Sequence, residues 1–191
     1  MYVKAASFPF EANRNQGRRG AMGPMEGTCG ACRIRLTCRL SNAREQAGNS
    51  GIMVKTEQIQ VKTRGNCHVV DITHEVAAAV AGSGLKAGVV TVFHVGSTAG
   101  VTTTEYEPGL ADHDLKAAFE RMAPADGHYE HENTWQDDNG HSHVRASLLG
   151  PSLAVPFVEG RLTLGTWQQI ILVDFDTRAR TRTIICQMIG E

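Results

Sequence analysis

The sequence is poor in the features that mark membrane, secreted and nucleic-acid-binding proteins. No run approaches the roughly 18 apolar residues of a membrane helix, and no apolar segment with a small-residue cleavage site indicates a secretory signal. Pro (6) and aromatic residues (6%) are few. Lys and Arg total 19 against 20 Asp and Glu, so a net charge of −1 excludes a dedicated nucleic-acid binder. We therefore predict a cytoplasmic protein that binds neither membrane nor nucleic acid.

The near-neutral total hides two segments of opposite charge. Residues 1–52 carry a net charge of +5 and residues 53–191 a net charge of −6, and all eight histidines lie in the second segment. Gly and Pro interrupt the short apolar runs of the first segment, which shows no helical or strand period. We predict that residues 1–52 are a disordered leader or a misassigned N-terminal extension, and that the folded domain is 53–191.

The five cysteines do not form a complete metal or disulfide framework. Cys29, Cys32 and Cys38 lie close together, but a structural zinc site needs four ligands and residues 1–52 contain no histidine. Cys67 and Cys186 are predicted to be buried thiols of a cytosolic protein.

The apolar pattern of residues 53–191 predicts an α+β fold. Capping residues, helix formers and a Gly-Ser-Gly stop predict a helix near 71–82, and an apolar stripe predicts another over 109–122. Strands are predicted by alternating or β-branched runs at 54–61, 88–95, 98–105, 141–149, 153–158, 166–175 and 181–189. Short turns, including hairpins at 159–161 and 177–180, and a polar loop over 124–140 join these elements. We expect a compact single domain with a mainly antiparallel sheet and two helices inserted in its first half.

The densest group of chemically active residues is histidine-rich. His128, His131, His141 and His143 lie within sixteen positions, with several carboxylates between them. If 141–149 is a strand, the side chains of His141 and His143 leave the same face and can converge on one ligand. Imidazoles with nearby carboxylates suit zinc, nickel, iron or manganese better than calcium. The sequence therefore predicts metal or anion binding, with surface histidines on a polar loop as the alternative.

Two further segments have both a functional and a structural interpretation. The small residues from Gly96 to Gly100 can form an anion-binding concavity or a tight turn, and Glu105 can be a base, a ligand or a solvated charge. Trp167 can wall a pocket beside the amide of Gln168, or pack in the core at the start of a strand.

These segments resemble the motifs of the YjbQ-like family, whose members are also named secondary thiamine-phosphate synthases. The resemblance runs in order through residues 53–191 and leaves out residues 1–52. The matching pieces are Ser97-Thr-Ala99 with Glu105, Tyr129-Glu-His131, Asn139-Gly-His-Ser-His143 with Arg145, Leu148-Leu-Gly-Pro-Ser152, Gly160-Arg-Leu162 with Leu164-Gly-Thr-Trp-Gln168, Arg182, and Gly190-Glu191. The resemblance implies a compact α+β domain that assembles as a homotrimer, with a histidine-lined site near the subunit boundary.

The resemblance also implies roles for individual residues. The metal ligands it implies, for a zinc-like or magnesium-like divalent ion, are His131, His143 and His141. Glu105 with the hydroxyls of Ser97 and Thr98 would be catalytic. The residues implied in substrate binding are Arg145, Trp167, Gln168, Arg182 and Gly100.

The sequence departs from the common family pattern at two positions. Gly96 stands where many members carry histidine, and Thr104 stands where they carry asparagine. His94 would lie on the same strand face as position 96 and is a candidate replacement. The number of metal ligands therefore stays open at this point.

The activity that the resemblance implies is a transferase reaction on a small phosphorylated metabolite. It joins hydroxymethylpyrimidine diphosphate to a thiazole phosphate and releases pyrophosphate. A departing diphosphate needs a divalent ion or cationic donors, which Arg145 and Arg182 would supply. Two alternatives remain open: metal-assisted hydrolysis of a phosphate ester, and a trimeric protein that binds a metal or anion without turnover.

Overall fold

The structure, a computed structural model, describes residues 51–191. The predicted leader, residues 1–52, lies outside the described residues except for its last two. The elements in chain order are β1 (Met53–Thr63), β2 (His68–Asp71), α1 (Thr73–Gly82), β3 (Ala87–His94), β4 (Ala99–Thr104), a π-helical turn (Gly109–Asp114) that continues into α2 (Leu115–Met122), α3 (Glu130–Trp135), α4 (Gly140–Leu149), β5 (Ser152–Val158), β6 (Arg161–Leu162), β7 (Gln169–Asp174) and β8 (Arg180–Gly190).

Two antiparallel sheets organise the described residues. One has five strands in the order β1-β8-β3-β5-β6, and the other has three in the order β2-β7-β4. All of the strand pairs are antiparallel. The expected α+β fold with a mainly antiparallel sheet is therefore confirmed.

Strand β7 separates the two hydrophobic cores. Ile170 and Leu172 belong to the larger core, which also contains residues of the five-stranded sheet and of α1. Ile171 and Val173 belong to a second core with residues of α2 and α4. Because alternate side chains of a strand leave opposite faces, the continuous apolar run of β7 buries both faces of the small sheet. The layers are thus the large sheet, the small sheet, and the pair of helices.

Helix α4 is held against β4 by a close backbone approach. The amide of Val101 donates to the carbonyl of Gly150, with an N···O distance of 3.0 Å. A Cβ at Gly100 would lie 2.7 Å from that same carbonyl oxygen and 2.9 Å from Cδ2 of Leu149. Only glycine therefore lets the end of α4 lie this close to the small sheet.

The structure confirms the two predicted helices but corrects other elements. The predicted strand over 141–149 is wrong, because these residues form α4, and the predicted loop over 124–140 contains α3. The turn over 177–180 is not a hairpin, since it joins β7 of one sheet to β8 of the other. The turn over 159–161 does connect paired strands, β5 and β6.

Candidate functional site

The imidazoles of His131 and His143 lie against each other where α3 and α4 meet. Their ring centroids are 4.5 Å apart. Gln136, directly after α3, has a φ of 56° and turns the chain toward α4. At the start of α4, a Cβ on Gly140 would lie 2.5 Å from Cβ of Tyr129, so the two segments meet only with glycine there. The turn and the close approach bring the two histidines together.

Both rings of the His131–His143 pair can offer a nitrogen to a ligand. Burial lowers the pKa of His143 and the adjacent His131 lowers it further, although Asp137 and the Ser97 backbone oppose this. His143 is therefore neutral at neutral pH and retains a nitrogen lone pair. Nε2 of His131 is buried without a hydrogen bond, although Oδ1 of Asp137 is 3.4 Å away.

A cavity of about 150 Å³ adjoins the pair. His143 is one of its lining residues, together with Gly96 and Ser97 from the segment between β3 and β4. The sequence indicated the small residues from Gly96 to Gly100 as an anion-binding concavity or a tight turn, and the structure brings three of them, Gly96, Ser97 and Ala99, beside His143. This region is the candidate site.

Thr98, Gly100 and Glu105, which were also predicted for the site, differ in their burial and in their contacts. Thr98 is buried, and its hydroxyl donates to Oδ2 of Asp176 (3.0 Å) while it accepts from Nη2 of Arg182 (2.9 Å). Gly100 lies under the end of α4, as described above. Glu105 follows the end of β4 and is exposed. The predicted catalytic roles of Glu105, Ser97 and Thr98 stay predictions.

Arg145 and Arg182, predicted to bind substrate, are buried and engaged with protein groups. Arg145 donates to the carbonyl of Ala123 (2.8 Å) and to the carboxylate of Glu120 (2.6 Å). Arg182 donates from Nε to Oδ2 of Asp174 at 2.8 Å, and from Nη2 to the other oxygen. Arg182 thus neutralises the buried carboxylate of Asp174, whereas Arg145 joins α4 to the partly exposed Glu120 of α2.

His141 does not join the His131–His143 pair. The expected convergence of His141 and His143 assumed a strand and is wrong in that form, because positions i and i+2 of a helix point to different sides. His141 is buried, its Nδ1 makes no hydrogen bond, and its ring lies 6.2 Å from that of Tyr129. Its predicted role as a ligand stays a prediction.

The residues near the pair form a donor set that suits a transition metal. Two imidazoles and the carboxylate of Asp137 are the ligand types found at zinc sites. Within residues 51–191, no three His, Cys, Asp or Glu side chains are already arranged as a metal-binding group. The fit therefore rests on the two imidazoles, and Oδ1 of Asp137, 3.4 Å from Nε2 of His131, is the nearby oxygen donor.

Comparisons with known proteins cover the same part of the chain. The family described as "UPF0047 protein YjbQ-like" matches residues 57–191. The chain belongs to this family. A UPF0047 protein of Methanothermobacter thermautotrophicus is 34% identical over 138 residues, which cover 72% of this chain and 94% of the relative. The UPF0047 protein YugU of Bacillus subtilis is 34% identical over 139 residues, covering 72% of this chain and all of the relative.

Solved structures agree with the family assignment. A YbjQ-like protein of unknown function from Sulfolobus solfataricus has a TM-score of 0.69 and 34% identity, and the match covers 74% of this chain and 100% of that chain. An uncharacterised YjbQ/UPF0047 protein from Clostridium acetobutylicum has a TM-score of 0.63 and 33% identity, covering 69% and 98%. The predicted family resemblance is confirmed.

The expected thiamine-phosphate synthase activity requires correction. The Methanothermobacter and Bacillus relatives of this UPF0047 chain carry only family names, and the Sulfolobus protein is described as being of unknown function. None of these names indicates a thiamine-phosphate synthase. The expectation is therefore wrong, and family membership assigns no reaction to the chain.

Gly96, where this UPF0047 chain differs from the common family pattern, lies directly beside the imidazole of His94. A Cβ on Gly96 would lie 2.8 Å from Cε1 of His94, so the imidazole fills the space beside position 96. The ring is fully buried and neither nitrogen has a hydrogen-bond partner of good geometry within the described residues. Burial lowers the pKa of His94 and nearby Arg182 lowers it further, although Asp174 and the Ala99 backbone oppose this.

Trp167 and Gln168 lie on the surface of this UPF0047 chain. Trp167 is 71% exposed, so it does not pack in the core. The Gln168 amide donates to the hydroxyl of Thr103 (3.0 Å) and accepts from the amide of Gly165 (3.1 Å). Their predicted roles in binding substrate stay predictions.

Two remaining expectations concern the environment of the protein. The thiols of Cys67 and Cys186 are buried and free, as predicted, and burial raises the pKa of each to about 11. Among residues 51–191, no helix combines the length and apolar character needed to cross a membrane.

Proposed function

We propose that this protein binds a divalent transition-metal ion through the imidazoles of His131 and His143. The observation that carries the proposal is the contact between these two rings, with centroids 4.5 Å apart. The two histidines come from different helices, so their contact depends on the tertiary fold. A metal ion held there would supply a positive charge that attracts an anionic ligand.

The surroundings of the two rings support this proposal. The pKa of His143 is lowered by burial, which keeps its ring neutral, as a metal ligand must be. Nε2 of His131 is buried without a hydrogen bond, and a buried polar atom without a partner is costly. Asp137, 3.4 Å from that nitrogen, is the nearby carboxylate and the proposed third ligand. The cavity of about 150 Å³ lined by His143 and Ser97 leaves space for a small anion beside His143.

The proposal is tested by the metal content of the full chain. The protein is stripped with a chelator, dialysed against Zn²⁺, and measured for bound zinc by elemental analysis. We expect about one ion per chain for the natural sequence, and a large loss of affinity, about 10-fold or more, for His131→Gln and for His143→Gln.

His113→Gln is the matched control, because it removes an exposed imidazole from the π-helical turn. It should bind zinc as the natural sequence does. Absence of bound zinc in the natural sequence, or equal losses in all three variants, would contradict the proposal.

We also propose that the chain assembles as a homotrimer through the outer face of the five-stranded sheet. Val89, Phe93, Val158 and Ile189 are between 41% and 56% exposed on this sheet. Val89 of β3 is directly paired with Ile189 of β8, so their side chains lie side by side. Adjacent exposed apolar residues on a sheet favour burial against another subunit.

A further inference from the structure

A second cavity lies on the opposite edge of the three-stranded sheet from His143. Its volume is about 280 Å³, just below the usual range of about 300–1,000 Å³ for small-molecule sites. It lies beside β2, whereas the first cavity adjoins β4, and β7 runs between these two strands. The two cavities share no lining residue.

Cationic side chains predominate around this second cavity. Arg64 and Lys116 are lining residues, and Asp112 is the carboxylate among them. Neither cation forms a salt bridge within residues 51–191, whereas Arg145 pairs with the partly exposed Glu120 and Arg182 pairs with the buried Asp174 and Asp176. Arg64 and Lys116, unlike Arg145 and Arg182, are therefore available to an external anion.

His68 adds an oriented hydrogen-bond donor to the same cavity. The backbone amide of Arg64 donates to Nδ1 of His68 at 3.1 Å. The neutral ring must then carry its proton on Nε2, which becomes a donor. Burial lowers the pKa of His68 and the charge of Arg64 lowers it further, although Asp174 and Asp112 oppose this.

The wall of the cavity is a strained and firmly held loop. Gly65, Asn66 and Cys67 have φ values of 72°, 54° and 63°, three consecutive residues in the left-handed region. The amide of Asn66 donates to the carbonyl of Asp176 at 2.7 Å, and a Cβ on Gly65 would lie 2.4 Å from that oxygen. Non-glycine residues in this conformation are costly and concentrate at ligand-binding positions. The loop thus presents a fixed surface to a ligand.

We propose that this cavity binds a small phosphate-bearing anion through Arg64, Lys116 and His68. The guanidinium of Arg64 matches two phosphate oxygens, and Lys116 adds a second positive charge. The N–H of His68 adds a third donor, so three donors face the single lining carboxylate, Asp112. The proposal is independent of metal binding by the His131–His143 pair, because the cavities are separate.

Calorimetric titration of the full chain with inorganic phosphate tests this proposal. Chloride at equal ionic strength gives the reference, so that only specific binding is counted. Arg64→Gln and Lys116→Gln should each raise the Kd for phosphate about 10-fold or more, because each removes a charged donor. Arg64→Lys keeps the charge and should weaken binding less than Arg64→Gln.

The controls carry the same chemical change outside the cavity. Arg121→Gln alters an exposed arginine in α2 and Lys55→Gln an exposed lysine in β1, and both should bind phosphate as the natural sequence does. The double variant His131→Gln/His143→Gln should also bind phosphate unchanged, even if it has lost zinc. No heat beyond the chloride reference, or losses in the two controls equal to those of Arg64→Gln, would overturn the proposal.

Discussion

At the scale of single residues, glycine decides how closely the helical layer approaches the small sheet. The backbone carbonyl of Gly150 and the side chain of Leu149 occupy the space that a side chain at Gly100 would need. The sequence indicated Gly100 as part of a ligand-binding segment, but gave no sign of the helix above it. That contact joins residues 50 positions apart and depends on the tertiary fold.

Gly100→Ala should therefore lower the free energy of unfolding by about 1–3 kcal/mol, as expected for overpacking in a close contact. The measurement is urea unfolding followed by circular dichroism. Gly82→Ala is the control, because a Cβ there meets nothing within 4 Å at the end of α1. It should leave stability unchanged or raise it by about 0.5–1 kcal/mol. Equal losses in both variants would contradict the packing described here.

Asp176 makes stability depend on pH. Burial alone would raise its pKa, but hydrogen bonds from Arg180, Thr98 and the Arg178 amide together lower it below the ordinary 3.8. A carboxylate with a lowered pKa in the folded state stabilises the fold above pH 3.8, and this stabilisation is lost as the pH falls through the folded-state value.

Asp176→Asn should cost about 1.5–3 kcal/mol at pH 7, because it removes a buried charged acceptor. It should also flatten the loss of stability below about pH 4, since the variant has no carboxylate to protonate there. Urea unfolding at a series of pH values checks both effects. Asp126→Asn, at an exposed carboxylate, is the control and should follow the natural sequence. If the free energy of unfolding of Asp176→Asn varied with pH as it does in the natural sequence, the proposed role of Asp176 in the pH dependence would be wrong.

At the scale of elements, α4 shows why some of the site could not be predicted. Its buried positions include His141, Ser142, Arg145 and Ala146, which are polar or small, while the apolar Val144 and Leu148 are exposed. A helix whose buried face is not apolar has no hydrophobic period of 3.6, so its sequence did not indicate a helix. The four longer strands of the large sheet (β1, β3, β5 and β8) and α1 follow the ordinary patterns and were predictable, whereas the two-residue β6 was not.

The attachment of α4 to the sheet can be measured through Ser142. Its hydroxyl donates to the carbonyl of Phe175 at 2.6 Å in a buried contact. Ser142→Ala should lower the free energy of unfolding by about 1–3 kcal/mol, because the buried carbonyl loses its partner. In Ser147→Ala the lost bond is to an exposed helix carbonyl, so stability should change by at most about 0.5 kcal/mol. Both free energies of unfolding are measured by chemical denaturation. A larger loss in Ser147→Ala than in Ser142→Ala would contradict the proposed role of Ser142 in holding α4 to the sheet.

At the scale of the whole molecule, the exposed face of the large sheet supports the proposed trimer. Light scattering of the full chain should give about three times the chain mass of 20.7 kDa. Val89→Lys places a charge in the apolar face and should shift the mass toward that of one chain. Leu148→Lys changes an exposed leucine on α4 and should keep the trimer. A monomer in the natural sequence, or equal dissociation in both variants, would exclude this interface.

Across the whole molecule, the family and the fold class were predictable from the sequence, whereas the contacts of the site were not. Ordered motifs such as Asn139-Gly-His-Ser-His143 identified the family, and the alternating strands identified the fold class. They did not show that His131, rather than His141, contacts His143, because that contact depends on how α3 and α4 pack. They also did not indicate the cavity beside Arg64, since its loop conformation and its neighbours on α2 are set by tertiary contacts.

The most direct test of the central proposal is the response of the imidazole nitrogens to zinc. Nitrogen NMR of the full chain can follow each histidine during a Zn²⁺ titration. We expect the nitrogen signals of His131 and His143 to shift together and to saturate at about one equivalent, while those of the exposed His113 stay unchanged. Zinc binding that leaves the signals of His131 and His143 unshifted, or no zinc binding at all, would contradict a metal site at this pair.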